Sequence, residues 1–397
     1  MKSKKIVFFF LGWVGMVFYF TQRWIYGPLI PSLMEEFGVS KTTLGVVGSS
    51  SLWGYMFTTI LAGLLSDRFG RKYAVLLGIF GFSFLTALCG LTNSIQQIFA
   101  VRFVTGMVEA FFFVPLIAFT LELFPERPGF YLTFMSSGSS LGWFTGPALA
   151  GWLLDLTGSW RAPFLVTGLS GLVVAFLLLA FWPKETKPVR ASAFFNREIL
   201  KPIHLMMLFL LSLTAAFQIA AEFGFTMWYP VFLKTEVGIA IGMAGLIAGM
   251  YGIGQFIGRP FMGWISDKLG YRKIGVAGGL VLVLSLALIL TVRNNTLRTG
   301  FTFLAGFTGA AVMGSLWTFT GLVFSKYKGL ALGIIVTFGY VTSSSAPIII
   351  GYLGDHYSVG LGILSVCVPA GFLACAAFAS TGFVKLSTAG EEDMKGK

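Results

Sequence analysis

Twelve apolar runs dominate this sequence and leave little room for any other architecture. They fall near 6–33, 42–66, 73–92, 98–124, 130–157, 163–182, 202–233, 241–266, 274–292, 299–324, 330–356 and 361–385. About 20 apolar residues in a helix cross the roughly 30 Å hydrocarbon core of a bilayer. The chain is 56% hydrophobic and 11% charged, whereas soluble domains carry about 25% charged residues. Most of the surface therefore faces lipid. The expected fold is an all-α membrane protein of twelve transmembrane helices. The first run follows the basic stretch Met1-Lys2-Ser3-Lys4-Lys5 but has no small-x-small cleavage site, so it is read as a retained helix.

The net charge of +12 is a matter of topology rather than of nucleic-acid binding. Arg68, Arg71, Lys72, Arg127, Lys268, Arg272, Lys273, Lys326 and Lys328 fall on one side of the spans, together with the basic linker 183–201 and both termini. The opposite loops hold Lys41, Arg161, Lys234, Arg293 and Arg298. By the positive-inside rule both termini are cytoplasmic, in a multi-pass protein of the plasma (inner) membrane. The expected organisation is a six-helix bundle over 1–182, a cytoplasmic linker over 183–201, and a second bundle over 202–397 with a short cytoplasmic tail. Cys89, Cys367 and Cys375 lie in apolar runs without metal-ligand spacing. His204 and His356 are the two histidines. Neither a nucleotide-binding loop nor a catalytic constellation is legible, so the reading is a monomeric non-enzyme without cofactor or metal.

The halves repeat at a fixed offset of 200 residues. Gly63-Leu-Leu-Ser-Asp67-Arg68-Phe-Gly70-Arg71-Lys72 matches Gly263-Trp-Ile-Ser-Asp267-Lys-Leu-Gly270-Tyr-Arg272-Lys273. Gly146-Pro147 through Gly151 to Asp155 matches Ala346-Pro347 through Gly351 to Asp355. Two motifs on one offset indicate a duplicated six-helix unit. With these loops, Arg102-Phe-Val-Thr-Gly106 and the Gly142-x-x-x-Gly146-Pro147 run, the chain resembles the major facilitator superfamily over essentially its whole length. In the loop motif, Asp67 and Asp267 can accept from backbone amides or pair with arginine. Glu122 is placed to hold Arg71. Asp67, Arg68, Arg71, Glu122, Asp267 and Arg272 are therefore candidates for a cytoplasmic gate.

Ionisable residues far from helix ends are costly in a membrane and tend to be paired or functional. Arg23, Glu109 and Glu222 stand out, and the resemblance implies that their helices line a central cavity. Arg23 stays charged, and its planar fork fits a carboxylate, so it is read as an anion-substrate anchor or a partner of an acid. Glu109 is the first candidate for a proton site and Glu222 the second. Arg102 and Arg259 are expected to snorkel towards helix ends as structural residues. Tyr19, Gln22, Tyr26, Tyr55, Gln218, Gln255 and Trp317, with Glu222, complete the expected substrate cavity.

Within the superfamily the chain is most similar to the anion:cation symporters. The matching features are Gln22-Arg23 followed by Pro31 and Glu35-Glu36-Phe37-Gly38, then Arg102, Gly106, Glu109, Phe112, Phe113 and Pro115, and Trp228-Tyr229-Pro230. That group often has Asp where Gln22 stands. The resemblance implies a small organic anion as substrate, carried with protons (or sodium) by alternating access. The alternative is a proton-coupled efflux antiporter for drugs or cations.

Overall fold

The computed structural model describes residues 2–183, 202–324 and 328–384. The linker and tail basic residues, with Lys326, lie outside the described residues, as do the side chains of Asp67 and Lys328. Among the described residues there are α-helices and one short 3-10 turn, and no strand. In chain order the helices are α1 (Lys2–Trp24), α2 (Tyr26–Phe37), α3 (Lys41–Phe69), α4 (Arg71–Cys89), α5 (Ile95–Leu123), α6 (Pro128–Thr157) and α7 (Arg161–Ala180). After the linker follow α8 (Pro202–Thr235), α9 (Ile241–Leu269), α10 (Tyr271–Thr291), α11 (Asn295–Val323), α12 (Lys328–Ser343), α13 (Ala346–His356) and α14 (Val359–Ser380).

Two of the expected spans are broken. The first is interrupted at Ile25 and the eleventh at Ser344 and Ser345. A proline follows each break. Pro28 and Pro347 lack an N–H, and their rings crowd the carbonyls four residues earlier, at Trp24 and Ser343. Counting α1 with α2 and α12 with α13 as single rods leaves twelve rods among the described residues. Ten of these are long and apolar enough to cross a membrane. The other two, α3 and α6, run 29 and 30 residues.

The helix starts repeat the sequence symmetry. Ser94 accepts from the Gln97 amide at the start of α5, and Asn294 accepts from Thr296 and Leu297 at the start of α11. Each side chain satisfies donors that a first helical turn leaves open. Gly70 and Gly270 join α3 to α4 and α9 to α10 at φ 98° and 94°, a region that side chains with a Cβ rarely enter.

The chain forms two compact units that do not divide at the linker. The first holds Met1–Ala191, Thr226–Ile253 and Pro347–Gly362. In it α3 packs on α5, α1 on α6, and α4 on α5 and α7. Its core includes Phe8, Met16, Ile79, Phe112, Leu116 and Phe119. The second unit holds Ser192–Phe225, Gly254–Ala346 and Ile363–Lys397. There α10 packs on α11, around Leu211, Leu316, Phe319, Phe324, Ile335 and Phe378.

Candidate functional site

The break after Trp24 leaves Gln22 and Arg23 at the last turn of α1, with Arg23 facing α5 and Gln22 facing α4 and α7. Arg23 Nη2 lies 3.1 Å from Glu109 Oε2, and the two side chains are 3% and 4% exposed. A buried charge at this depth requires a partner, and each supplies the other's. Arg23 Nη1 also donates to the Tyr19 hydroxyl at 3.5 Å. The Tyr19 and Tyr55 rings lie 5.6 Å and 5.4 Å from the guanidinium carbon. Tyr19 in turn stacks on Phe112 and Phe113, so the arginine is held in place by an aromatic wall. A guanidinium so placed can exchange one carboxylate partner for another.

Gln22 is buried beside Arg23, but its amide nitrogen is engaged elsewhere. Nε2 donates to Thr167 O at 3.0 Å and to Ser83 Oγ at 3.4 Å. Tyr26 is also buried, and its hydroxyl donates to Leu44 O. Arg102 departs from the expectation of snorkelling. It is buried, donates from Nε to Val47 O, and lies 4.2 Å over the Tyr26 ring. It lines the same small cavity as Gln22, Arg23 and Glu109, with Ser51, Thr86 and Thr105. The reason is rotational: its position on α5 turns it towards α2 and α3 instead of along the helix to an interface. Sequence reading missed Ser51, Thr86 and Thr105, whose hydroxyls give no pattern apart from the packing. Arg102, seven residues before Glu109 and so two turns away on the same face, was findable.

In the second unit, Gln218 Nε2 donates to Glu222 Oε1 at 2.9 Å, both side chains being buried. Arg259 donates to Gln255. Trp317 is half-buried against the core of this unit, and His204 packs near Phe324.

A second constellation lies at one end of the first unit, here called the upper end, where four acids meet four helix starts. Asp355 accepts from the Lys41 and Thr42 amides at 2.8 and 2.9 Å and from the Thr42 hydroxyl at 2.6 Å. Ser40 accepts from the Thr43 amide, so the first three amides of α3 are all satisfied. Asp155 accepts from the Gly242 amide at the start of α9 at 2.9 Å. These are offset mates acting on offset mates. Around them the backbones nearly touch: a Cβ at Gly45 would fall 2.5 Å from Pro347 O, and one at Gly245 2.2 Å from Pro147 O. Glu36 and Glu236 form the other mated pair. Glu36 takes a fork from Arg161, at 2.8 and 3.0 Å, and the Trp160 indole N–H. Glu236 accepts from the Val359 and Gly360 amides. Sequence reading aligned Asp155 with Asp355 without assigning them partners; the same offset applied to acids near helix ends would have found all four.

The loop motif has diverged between its copies. In the first, Arg71 lies 3.3 Å from Glu122 and donates to Ser66 at 2.7 Å, while Arg68 is exposed. In the second, Tyr271 stands at the position of Arg71 and donates to Asp267. Leu322 stands where Glu122 does, Lys268 lies over the Trp264 ring, and Arg272 is exposed.

The sequence matches the Major Facilitator Superfamily profile over residues 12–235 and again over 211–394. The chain belongs to the major facilitator superfamily. It is 28% identical over 350 residues to the cis,cis-muconate transport protein of Acinetobacter baylyi, with 84% of each chain covered. It is 25% identical over 369 residues to the gentisate transporter of Corynebacterium glutamicum, covering 88% of this chain and 82% of that one. A solved bacterial homolog of the human lysosomal transporter Spinster, in an inward-facing and unoccupied conformation, shares the fold. The TM-score is 0.80 at 17% identity, with 97% of this chain and 98% of that one covered. As a major facilitator the chain is a multi-pass membrane transporter and not an enzyme.

Proposed function

We propose that this transporter moves a small organic anion of the carboxylate type by alternating access, in symport with a proton. The observation that carries the reading is the buried Arg23–Glu109 pair within its aromatic wall. A substrate carboxylate arriving at Arg23 competes with Glu109 for the same fork. Displaced from the guanidinium, Glu109 would be an unpaired buried anion, which is costly enough to favour its taking a proton. Substrate and proton then enter as one neutral set, and loss of the substrate restores the ion pair. Glu222, held by Gln218, is the second candidate for proton carrier, and Gln255 and Trp317 are candidates for substrate contact. The names of the muconate and gentisate carriers support a carboxylate substrate.

Alternating access requires an end that opens. The acid-capped upper end is the outer gate in this reading, with the termini cytoplasmic. The first-copy loop motif, through Arg71 and Glu122, is a latch on the inner side, and Asp67, Arg68, Asp267 and Arg272 belong to the same loops. The test is uptake of muconate- or benzoate-type anions into proteoliposomes under an inward pH gradient. Uptake lost in Arg23→Ala supports the reading. Normal uptake in that variant, or uptake of lipophilic cations in place of carboxylates, overturns it.

A further inference from the structure

The cavity behind the ion pair contains polar atoms that the transport reading does not use. Its volume is about 10 Å³, and Gln22, Arg23, Ser51, Thr86, Arg102 and Glu109 are among its lining residues. Two buried acceptors at this site lack a well-aligned hydrogen bond: Gln22 Oε1, and Glu109 Oε2, whose contact with Arg23 Nη2 at 3.1 Å is an ion pair. The amide of Gln22 cannot be turned round to relieve this. Its Nε2 is fixed by the Thr167 carbonyl and the Ser83 hydroxyl, and a flip would set oxygen against the carbonyl oxygen. Buried acceptors are ordinarily satisfied by protein or by ordered water.

We propose that this cavity is a site for one water molecule, which donates one hydrogen to Gln22 Oε1 and the other to Glu109 Oε2. Gln22 is thereby a positioning residue for the carboxylate, acting through the water. The proposal rests on Glu109 being the proton carrier. A volume near 10 Å³ is about what one water requires, and water brings two donors for two acceptors. Its lone pairs face a wall that contains two guanidinium groups. The same wall rejects the competing occupant, a sodium ion. Arg23 and Arg102 against the single carboxylate Glu109 give a positively charged lining, and a further cation would be repelled in a low-dielectric setting.

The charged and titratable groups around Glu109 are Arg23 and Tyr19 on α1, Tyr26 on α2 beneath Arg102, Tyr55 on α3, Cys89 on α4, and Arg102 on its own helix. Gln22 adds no charge to this set, so its replacement changes hydrogen bonding without changing charge; it also removes the amide-nitrogen contacts to Thr167 and Ser83.

The experiment has two arms on the full chain in lipid. A high-resolution structure in nanodiscs is expected to show a density peak about 2.7–3.2 Å from both Gln22 Oε1 and Glu109 Oε2. A map that resolves other buried waters and shows none here overturns the proposal, as does a peak that appears only in sodium buffer. In proteoliposomes, Gln22→Met is expected to raise the pH midpoint of uptake by about one unit, because the ionised carboxylate loses a hydrogen bond. Ser83→Ala, which removes only an amide-nitrogen contact, is expected to leave the midpoint in place, and potassium in place of sodium is expected to change nothing. Equal midpoints for Gln22→Met and the parent, or a dependence on sodium, overturn the proposal. If Arg23→Ala abolishes proton-driven uptake and the peak is absent, the water site fails alone. If the peak is present and carboxylates are not carried, the transport reading fails alone.

Discussion

Arg23 and Glu109 stand 3.1 Å apart, 86 positions distant in the chain, and almost wholly shielded from solvent. Neither is tolerable alone at that depth, because removing one partner of a buried pair leaves the other uncompensated at about 3–5 kcal/mol. In the proposed cycle the pair has two fillings: the internal carboxylate, or an external one together with a proton.

Arg23→Lys should retain the charge and lose the fork. Carboxylate uptake is expected to fall about tenfold, the equivalent of roughly 1.4 kcal/mol, through a higher KM, while Arg23→Ala abolishes it. Initial-rate uptake of a radiolabelled carboxylate against concentration checks both.

Glu109→Gln should separate exchange from accumulation. A neutral amide cannot take up or release the coupled proton, so pH-driven accumulation is expected to vanish while substrate counterflow without a pH gradient persists. Loss of both, in protein that still binds substrate, would shift the proton site to Glu222.

Asp155→Ala and Asp355→Ala should each weaken upper-end closure by about 1 kcal/mol, the usual cost of losing a helix cap, and shift the closed-to-open ratio roughly fivefold. The two caps lie on separate helix pairs, so the double variant should add their effects. Glu36→Gln and Glu236→Gln act between helices of the same half and should lower thermal stability without changing the ratio. A cysteine introduced at Ala148, next to Pro147 and 8% exposed, probed with a membrane-impermeant thiol reagent, reads the opening. Cys89, Cys367 and Cys375 are all buried and give little background.

Arg71→Glu alone should disturb inner-side gating, and Arg71→Glu with Glu122→Arg should restore part of it. The pair is 16% and 15% exposed, so a coupling energy of about 0.5–1 kcal/mol is expected from a double-mutant cycle on transport rate.

Much of this was legible in one dimension. A run of Leu, Phe and Gly long enough to cross a bilayer has few alternatives to a helix, so spans and fold class followed from hydropathy. The 200-residue offset fixed the duplication. The cost of charge in lipid singled out Arg23, Glu109 and Glu222 before any geometry was known. Three features needed the folded chain. Arg102 looked free to snorkel, yet the rotation of α5 buries it beside Glu109. The first and eleventh spans read as continuous, yet they break ahead of Pro28 and Pro347. The acids at helix ends had no partner assigned from sequence, yet each meets a helix start.

The physical reason is the same in each case. Local sequence sets whether a segment is helical and how greasy it is, because those depend on neighbours along the chain. Which polar atom faces which is set by the rotation and close approach of whole helices, decided by contacts between residues tens to hundreds of positions apart. The sequence by itself determined a duplicated membrane transporter with an arginine and an acid in its spans. The tertiary structure decided that this arginine and this acid are partners.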